Sequence, residues 1–229
     1  MNQREWNRVE ALQRLRIVFS KEAALKYISH LDLLRMWERA LRRARVPLAY
    51  SQGFNPRPKL FFAAALAVGC TGRAEILDLL LEQRVGMREF ASRLKEQMPD
   101  GVHVLSVSEV DMALPTLPCE VIAAEYEVQV QGEEAAGAVQ ARLDALLAAA
   151  SIPRIRPRPD GARLYDLRPL VQSLKVVGRR GEVTVMRMFL QADAHGTGRP
   201  DEVLAALGMT EQVLSMDRVQ LILNTPGGG

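Results

Sequence analysis

Three groups of residues have the types and spacing to do chemistry. The first is Tyr27-Ile28-Ser29-His30-Leu31-Asp32. At a helix N-terminus the dipole favours a neutral imidazole, a form able to accept a proton. His30 and Asp32 are therefore the candidate catalytic residues, with Tyr27 and Ser29 as polar neighbours. A histidine satisfied by local backbone bonds is the competing reading. The second group is the loop Ser51-Gln52-Gly53-Phe54-Asn55-Pro56-Arg57-Pro58. Gly53 and Asn55 tolerate positive φ, and the two prolines stiffen the chain around Arg57. Ser51, Gln52, Gly53 and Asn55 are expected to form a polar pocket beside the Ser29 helix, with Arg57 at its mouth. The third group is cationic. Arg35, Arg39 and Arg42 form a stripe on one candidate helix, followed by Arg57 and Lys59. Arg154, Arg156 and Arg158 are two apart and share one face of a candidate strand, with Arg163, Tyr165 and Arg168 following. Such groups suit phosphates. Base reading needs exposed aromatics as well, and only Tyr165 qualifies.

These residues need positioning elements. Ser29 followed by Asp32 is a helix start, and Leu33, Leu34, Trp37, Leu41 and Ala44 fall on one apolar face at helical spacing. Pro47 ends that helix. Strands are expected over 15–19, 59–68, 74–82 and 102–110, with a second helix over 87–98. Residues 1–13 read as a loose lead-in, and residues 111–121, with Pro115 and Pro118, as a linker. The order then recurs: a strand over 124–131, a helix over 133–150, a hairpin of 152–158 and 162–167 that 171–177 extends, a strand over 182–192, a helix over 200–207 and a strand over 215–223. A tail, 225–229, follows. The expected fold is α+β: two tandem ferredoxin-like (β-α-β-β-α-β) halves, residues 14–110 and 122–224, with antiparallel sheets covered by helices.

The chain has 229 residues, 48% hydrophobic and 25% charged, which is ordinary globular composition. No apolar run is long enough to span a membrane, and residues 1–14 lack a signal core, so a cytoplasmic location is expected. Cys70 and Cys119 are the only cysteines, too few and too distant for a disulfide framework. The net charge is +3, yet residues 35–59 and 154–180 each carry +6. Two basic regions in an otherwise acidic chain point to an anionic partner, with a solvated charged surface as the plain alternative. No P-loop, dinucleotide fingerprint or HExxH pair is present, so no cofactor or metal is expected. His103 and His195 read as non-catalytic, and no Ser–His–Asp or Cys–His set assembles from spacing.

The segment from Lys26 to Gly69, YISHLDLLRMWERALRRARVPLAYSQGFNPRPKLFFAAALAVG in its main part, resembles the signature of the radical-SAM-linked bacterial proteins of uncharacterised function. Asp166-Leu167-Arg168-Pro169 and Arg199-Pro200-Asp201-Glu202-Val203-Leu204 extend the resemblance to about residues 14–223. Cys70 and Ala63-Ala64-Ala65 depart from the usual pattern. Members occur alone or fused behind cobalamin-binding radical SAM proteins, and their genes often neighbour a ribonuclease E/G-type gene and ribosomal-protein genes. The resemblance implies a radical SAM protein as partner and assigns no activity. This chain cannot be the radical SAM enzyme, because two isolated cysteines cannot hold its iron–sulfur cluster. The leading reading is a non-enzymatic accessory module that binds structured RNA such as tRNA or rRNA. Two alternatives stay open: an enzyme acting on RNA or on a radical SAM product near His30, and a protein–protein adaptor.

Overall fold

The computed structural model describes residues 11–158 and 161–224, without the side chains of residues 23, 157 and 158. Most of the expected lead-in, the Pro159-Asp160 turn, the 225–229 tail and the Arg158 side chain lie outside the described residues. The chain is α+β, with antiparallel-dominated sheet and five α-helices among the described residues. It forms two compact units, Met1–Val121 with Asn224–Gly229, and Ile122–Leu223. No helix among the described residues is long and apolar enough to cross a membrane.

The first unit runs β1 (Gln13–Lys21), α1 (His30–Arg43), β2 (Leu60–Phe62), β3 (Cys70–Leu81), α2 (Met87–Lys95), β4 (Val102–Val110) and α3 (Leu117–Glu120). Its strands lie in the order β2-β3-β1-β4, each antiparallel to its neighbour. Alternation along β1 puts Leu15, Ile17 and Phe19 on one face. They share a core with Leu77, Leu79 and Leu81 of β3, Trp37 and Leu41 of α1, and Phe90 and Leu94 of α2. Phe19 and Trp37 meet edge-on at 4.9 Å. Each such buried side chain stabilises by about 1.5–3 kcal/mol through area removed from water.

Helix α1 ends as a hydrogen-bonded reversal before Pro47 is reached. Val46 N donates to Leu41 O at 3.1 Å, and Arg45 takes the left-handed conformation at φ 52°. Two expectations fail in this unit. The strand over 59–68 shortens to Leu60–Phe62, after which Gly69 at φ 88° turns the chain into β3. The alanines at 63–65 have little side chain to pack on a pleated surface. Residues 111–121 are also more than a linker. Pro118 sits in the first turn of α3, where its missing N–H costs nothing, and Leu117 and Glu120 are buried.

The second unit runs β5 (Val121–Gln131), α4 (Ala136–Ala148), β6 (Pro153–Arg158), β7 (Gly161–Asp166), β8 (Val171–Arg180), β9 (Val183–Asp193), β10 (Gly196–Thr197), α5 (Pro200–Ala206) and β11 (Val213–Leu223). The order is β8-β9-β5-β11, with β10 continuing the outer edge of β9. Alternation buries Tyr126, Val128 and Val130 of β5 and Met186, Met188 and Leu190 of β9. Helix α4 packs along β8, and Gln140 Oε1 accepts from Val176 N at 2.7 Å. Residues 171–177 do not extend the hairpin. Strands β6 and β7 form a separate two-stranded sheet, while β8 crosses to β9. Val171 and Leu174 are buried there, and that burial draws β8 away from the exposed hairpin.

Candidate functional site

The first candidate surface starts at the N-terminus of α1. Ser29 is the N-cap, and its Oγ accepts from Asp32 N at 3.1 Å. The same hydroxyl donates to Asp32 Oδ2 at 2.7 Å, and Arg35 donates to Asp32 Oδ1 at 3.3 Å. The Ser29 hydroxyl, aided by the Arg35 charge, holds the Asp32 carboxyl below its ordinary range. An ionised carboxylate occupied by the cap is poorly suited to donating a proton. His30 opens the helix and is half-buried, with its ring edge-on to Phe62 at 5.1 Å. Residues two apart on a helix do not face each other, so His30 and Asp32 lie on different sides of α1.

Along the outer face of α1, Arg35, Arg39 and Arg42 are exposed. Arg43 is committed elsewhere, donating to Gln97 O at 2.6 Å. Arg39 and Arg42 make no side-chain hydrogen bond or ion pair among the described residues. The loop after α1 closes on itself. Ser51 N donates to Arg57 O at 2.8 Å, Arg57 N donates to Ser51 Oγ at 2.9 Å, and Tyr50 bridges Pro58. Gly53 sits at φ 125°, a conformation L side chains rarely adopt. Gln52, Gly53, Asn55 and Arg57 are exposed, Ser51 and Lys59 are half-buried, and Phe54 is fully exposed at the tip. The ties from this segment back to the start of α1 come further along the chain. Phe62 meets His30, and Gly69 N donates to Lys26 O at 2.8 Å. Tyr27 is exposed, with Lys26 Nζ 4.9 Å from its ring centroid.

In the second unit the arginines divide. Arg154 pairs with Glu202 of α5 at 2.8 Å. Arg168 donates to Leu147 O at 2.7 Å and to Val171 O at 2.9 Å, so it fastens the backbone where β8 departs. Asp166 Oδ1 accepts from Ile152 N at 2.7 Å and Arg168 N at 2.9 Å. Those backbone bonds hold its carboxyl below the ordinary range. The Asp166-Leu167-Arg168-Pro169 motif is thus a chain-turning clasp. Arg156 lies 4.8 Å from the Tyr165 ring centroid, so Tyr165 is covered rather than offered to a base. Exposed aromatics are found in the first unit, at Tyr27, Tyr50 and Phe54.

One ionic cluster went unread in the sequence. Arg14 and Arg16 project from the face of β1 opposite the core and meet Asp78 of β3 and Glu120 of α3. Arg14 lies 2.6 Å from Asp78 and 2.9 Å from Glu120, while Arg16 lies 2.8 Å from each. Burial works against the Arg16 charge, but hydrogen bonds and attraction from Asp78 and Glu120 outweigh it and raise its pKa. Arg14 also donates to Leu114 O at 3.1 Å, so the cluster pins the 111–121 segment onto the sheet. The charged residues at alternate positions of β1 carried the signal. Four mutually neutralising charges, three of them almost fully buried, are structural. Among the described residues no group of three or more His, Cys, Asp or Glu side chains could hold a metal ion.

A crystal structure of a Cbf5-Nop10-Gar1 complex aligns with TM-score 0.47 and 10% identity over 90% of this chain and 48% of that one. The archaeal box H/ACA sRNP Nop10-Cbf5 complex aligns with TM-score 0.45 and 11% identity over 93% of this chain and 49% of that one. The chain thus spans about half the length of the solved chains it matches. No curated protein matches it. Residues 14–200 match a family described as an uncharacterized protein conserved in bacteria, DUF2344. That match takes in the α1 start, the Ser51–Pro58 loop and the Asp166–Pro169 clasp, and the chain belongs to this family.

Proposed function

We propose that this chain is a non-enzymatic accessory module of a radical SAM system and binds structured RNA through its first unit. The radical SAM link rests on the sequence resemblance from Lys26 to Gly69. The RNA reading is carried by one observation: Arg39, Arg42 and Arg57 are exposed without a carboxylate partner among the described residues, in a unit whose loop also presents Phe54 fully to solvent. Unneutralised guanidiniums attract phosphates, and an exposed aromatic ring offers a stacking face. We also read each unit as a ferredoxin-like half. In support, both follow the order second–third–first–fourth strand when the β6–β7 hairpin and β10 are set aside. Against the enzyme reading, His30 meets Phe62 edge-on and Asp32 serves the cap.

The test is a salt titration of binding to tRNA and ribosomal RNA fragments. Three phosphate contacts give a slope of log K against log salt of about −2 to −3. The Arg39→Gln/Arg42→Gln/Arg57→Gln variant is expected to flatten it almost completely and to stay folded. Absence of binding at low salt, or an unchanged slope in the variant, sinks the RNA reading.

The adaptor reading then leads, and it has its own observation. Tyr27, just before α1, and Leu31, in its first turn, are both exposed, and the Gly69–Lys26 bond brings exposed Val68 to the same end of α1. Pull-down with the radical SAM partner, wild type against Leu31→Glu, tests it.

A further inference from the structure

We propose that the cleft between the β6–β7 hairpin and the β9–β10 turn of the second unit binds a phosphate monoester, carried by a free nucleotide or by the 5′ end of an RNA. The cleft has a volume of about 550 Å³ and is lined in part by Arg156, Arg163, Tyr165, Asp193, His195 and Thr197. That volume lies within the range of small-molecule sites.

The charge arrangement carries the assignment. Arg156 and Arg163 stand directly opposite each other in the β6–β7 register. Cross-strand partners point to the same side, and like charges there destabilise a hairpin. Arg154, two residues earlier on the same strand, is neutralised by Glu202. Arg156 and Arg163 have no carboxylate partner among the described residues. Arg156 lies over the Tyr165 ring and donates to Thr197 O at 3.4 Å, and Arg163 is exposed. Two guanidinium forks converging on one cleft can hold a tetrahedral dianion through paired N–H bonds.

Two further features fit. Arg156 Nε and Tyr165 Oη are shielded from solvent and lack a hydrogen-bond partner among the described residues, whereas buried polar atoms normally have one. The carboxylates at the cleft have partners of their own, and Gln191 Nε2 donates to both oxygens of Asp193, at 2.9 and 3.0 Å. Asp166 Oδ1 accepts from Ile152 N and Arg168 N, and Asp193 Oδ1 accepts from His195 N at 2.8 Å and Gly196 N at 3.1 Å. They order the two walls without pairing to the facing arginines.

The proposal stands apart from the RNA-binding reading of the first unit. The experiment is calorimetric titration of the full chain at low salt with 5′-AMP against adenosine, then with a 5′-phosphorylated RNA hexamer against its 5′-hydroxyl form. The phosphorylated member of at least one pair is expected to bind about tenfold tighter or better. Arg163→Gln is expected to remove that preference while leaving the melting temperature unchanged or higher, because a like-charge repulsion is relieved. Preference confined to the hexamer assigns an RNA end; preference shared by 5′-AMP assigns a nucleotide. Equal binding of phosphorylated and unphosphorylated probes, or a preference that survives Arg163→Gln, overturns the site. Arg39→Gln/Arg42→Gln acts on the first unit alone and should leave 5′-AMP binding intact, so the two readings fail separately.

Discussion

Arg14 and Asp78 meet at 2.6 Å with neither side chain exposed to solvent. Glu120 and Arg16 complete a neutral set of four charges. Removing one member strands a buried charge, so Asp78→Ala is expected to lower stability by about 3–5 kcal/mol. Urea denaturation followed by circular dichroism measures it. A loss below about 1 kcal/mol would show that the cluster is solvated rather than dry.

Phe54 projects fully into solvent, so its removal costs the fold almost nothing. Phe54→Ala should leave the melting temperature unchanged and weaken RNA binding by about 1–3 kcal/mol, the range for one base stacked on an aromatic ring. Binding measured at fixed low salt is the check, and equal affinity removes Phe54 from the interface.

Gly53 at φ 125° has no neighbouring atom within 4 Å of where a Cβ would stand. A substitution there meets backbone strain alone. Gly53→Val is expected to cost about 1 kcal/mol or more, with the loss read as a lower melting temperature. An unchanged melting temperature would mean the loop relaxes freely.

Asp166 holds its carboxyl below the ordinary value of 3.8 through the Ile152 and Arg168 backbone bonds. Its contribution is therefore full above the unfolded value and is lost as pH falls through the lower folded one. The protection factors of the Ile152 and Arg168 amides, relative to their intrinsic exchange rates, should fall as acid protonates Asp166. In Asp166→Asn that acid-dependent change should vanish. Hydrogen exchange across pH 2 to 5 followed by NMR reads it, and pH-independent protection of both amides in the wild type would refute the clasp.

Much of the first unit was legible because its signals are local. Ser29 and Asp32 announce the start of α1, and the spacing of Leu33, Trp37 and Leu41 announces its buried face. The Ser51–Pro58 turn was readable from Gly53 and the two prolines. What stayed hidden depends on partners distant in sequence. Nothing near Arg154 or Arg168 reveals Glu202 or the Leu147 carbonyl, so both arginines read as free cations. Tyr165 looked available for stacking because Arg156 covers it only once β6 and β7 pair. The sequence carries no signal that Phe54 stands in solvent, since exposure cannot be read from residue type. Residues 111–121 looked like a spacer because prolines mark both a helix start and a loop.

The buried cluster also sets a schedule. Glu120 lies 106 residues beyond Arg14, and Asp78 lies 64 beyond it. At roughly 5–20 residues per second of synthesis, about 5–20 s separate translation of the first arginine and the last carboxylate. Until Glu120 leaves the ribosome, the cluster holds both arginines but one of its two carboxylates, an excess positive charge that resists drying. The nascent first unit can form its hydrophobic core during that interval and still remain unlatched on its charged face. Its final locking step therefore waits for residue 120 to leave the ribosome, after β1 to β4 have been made.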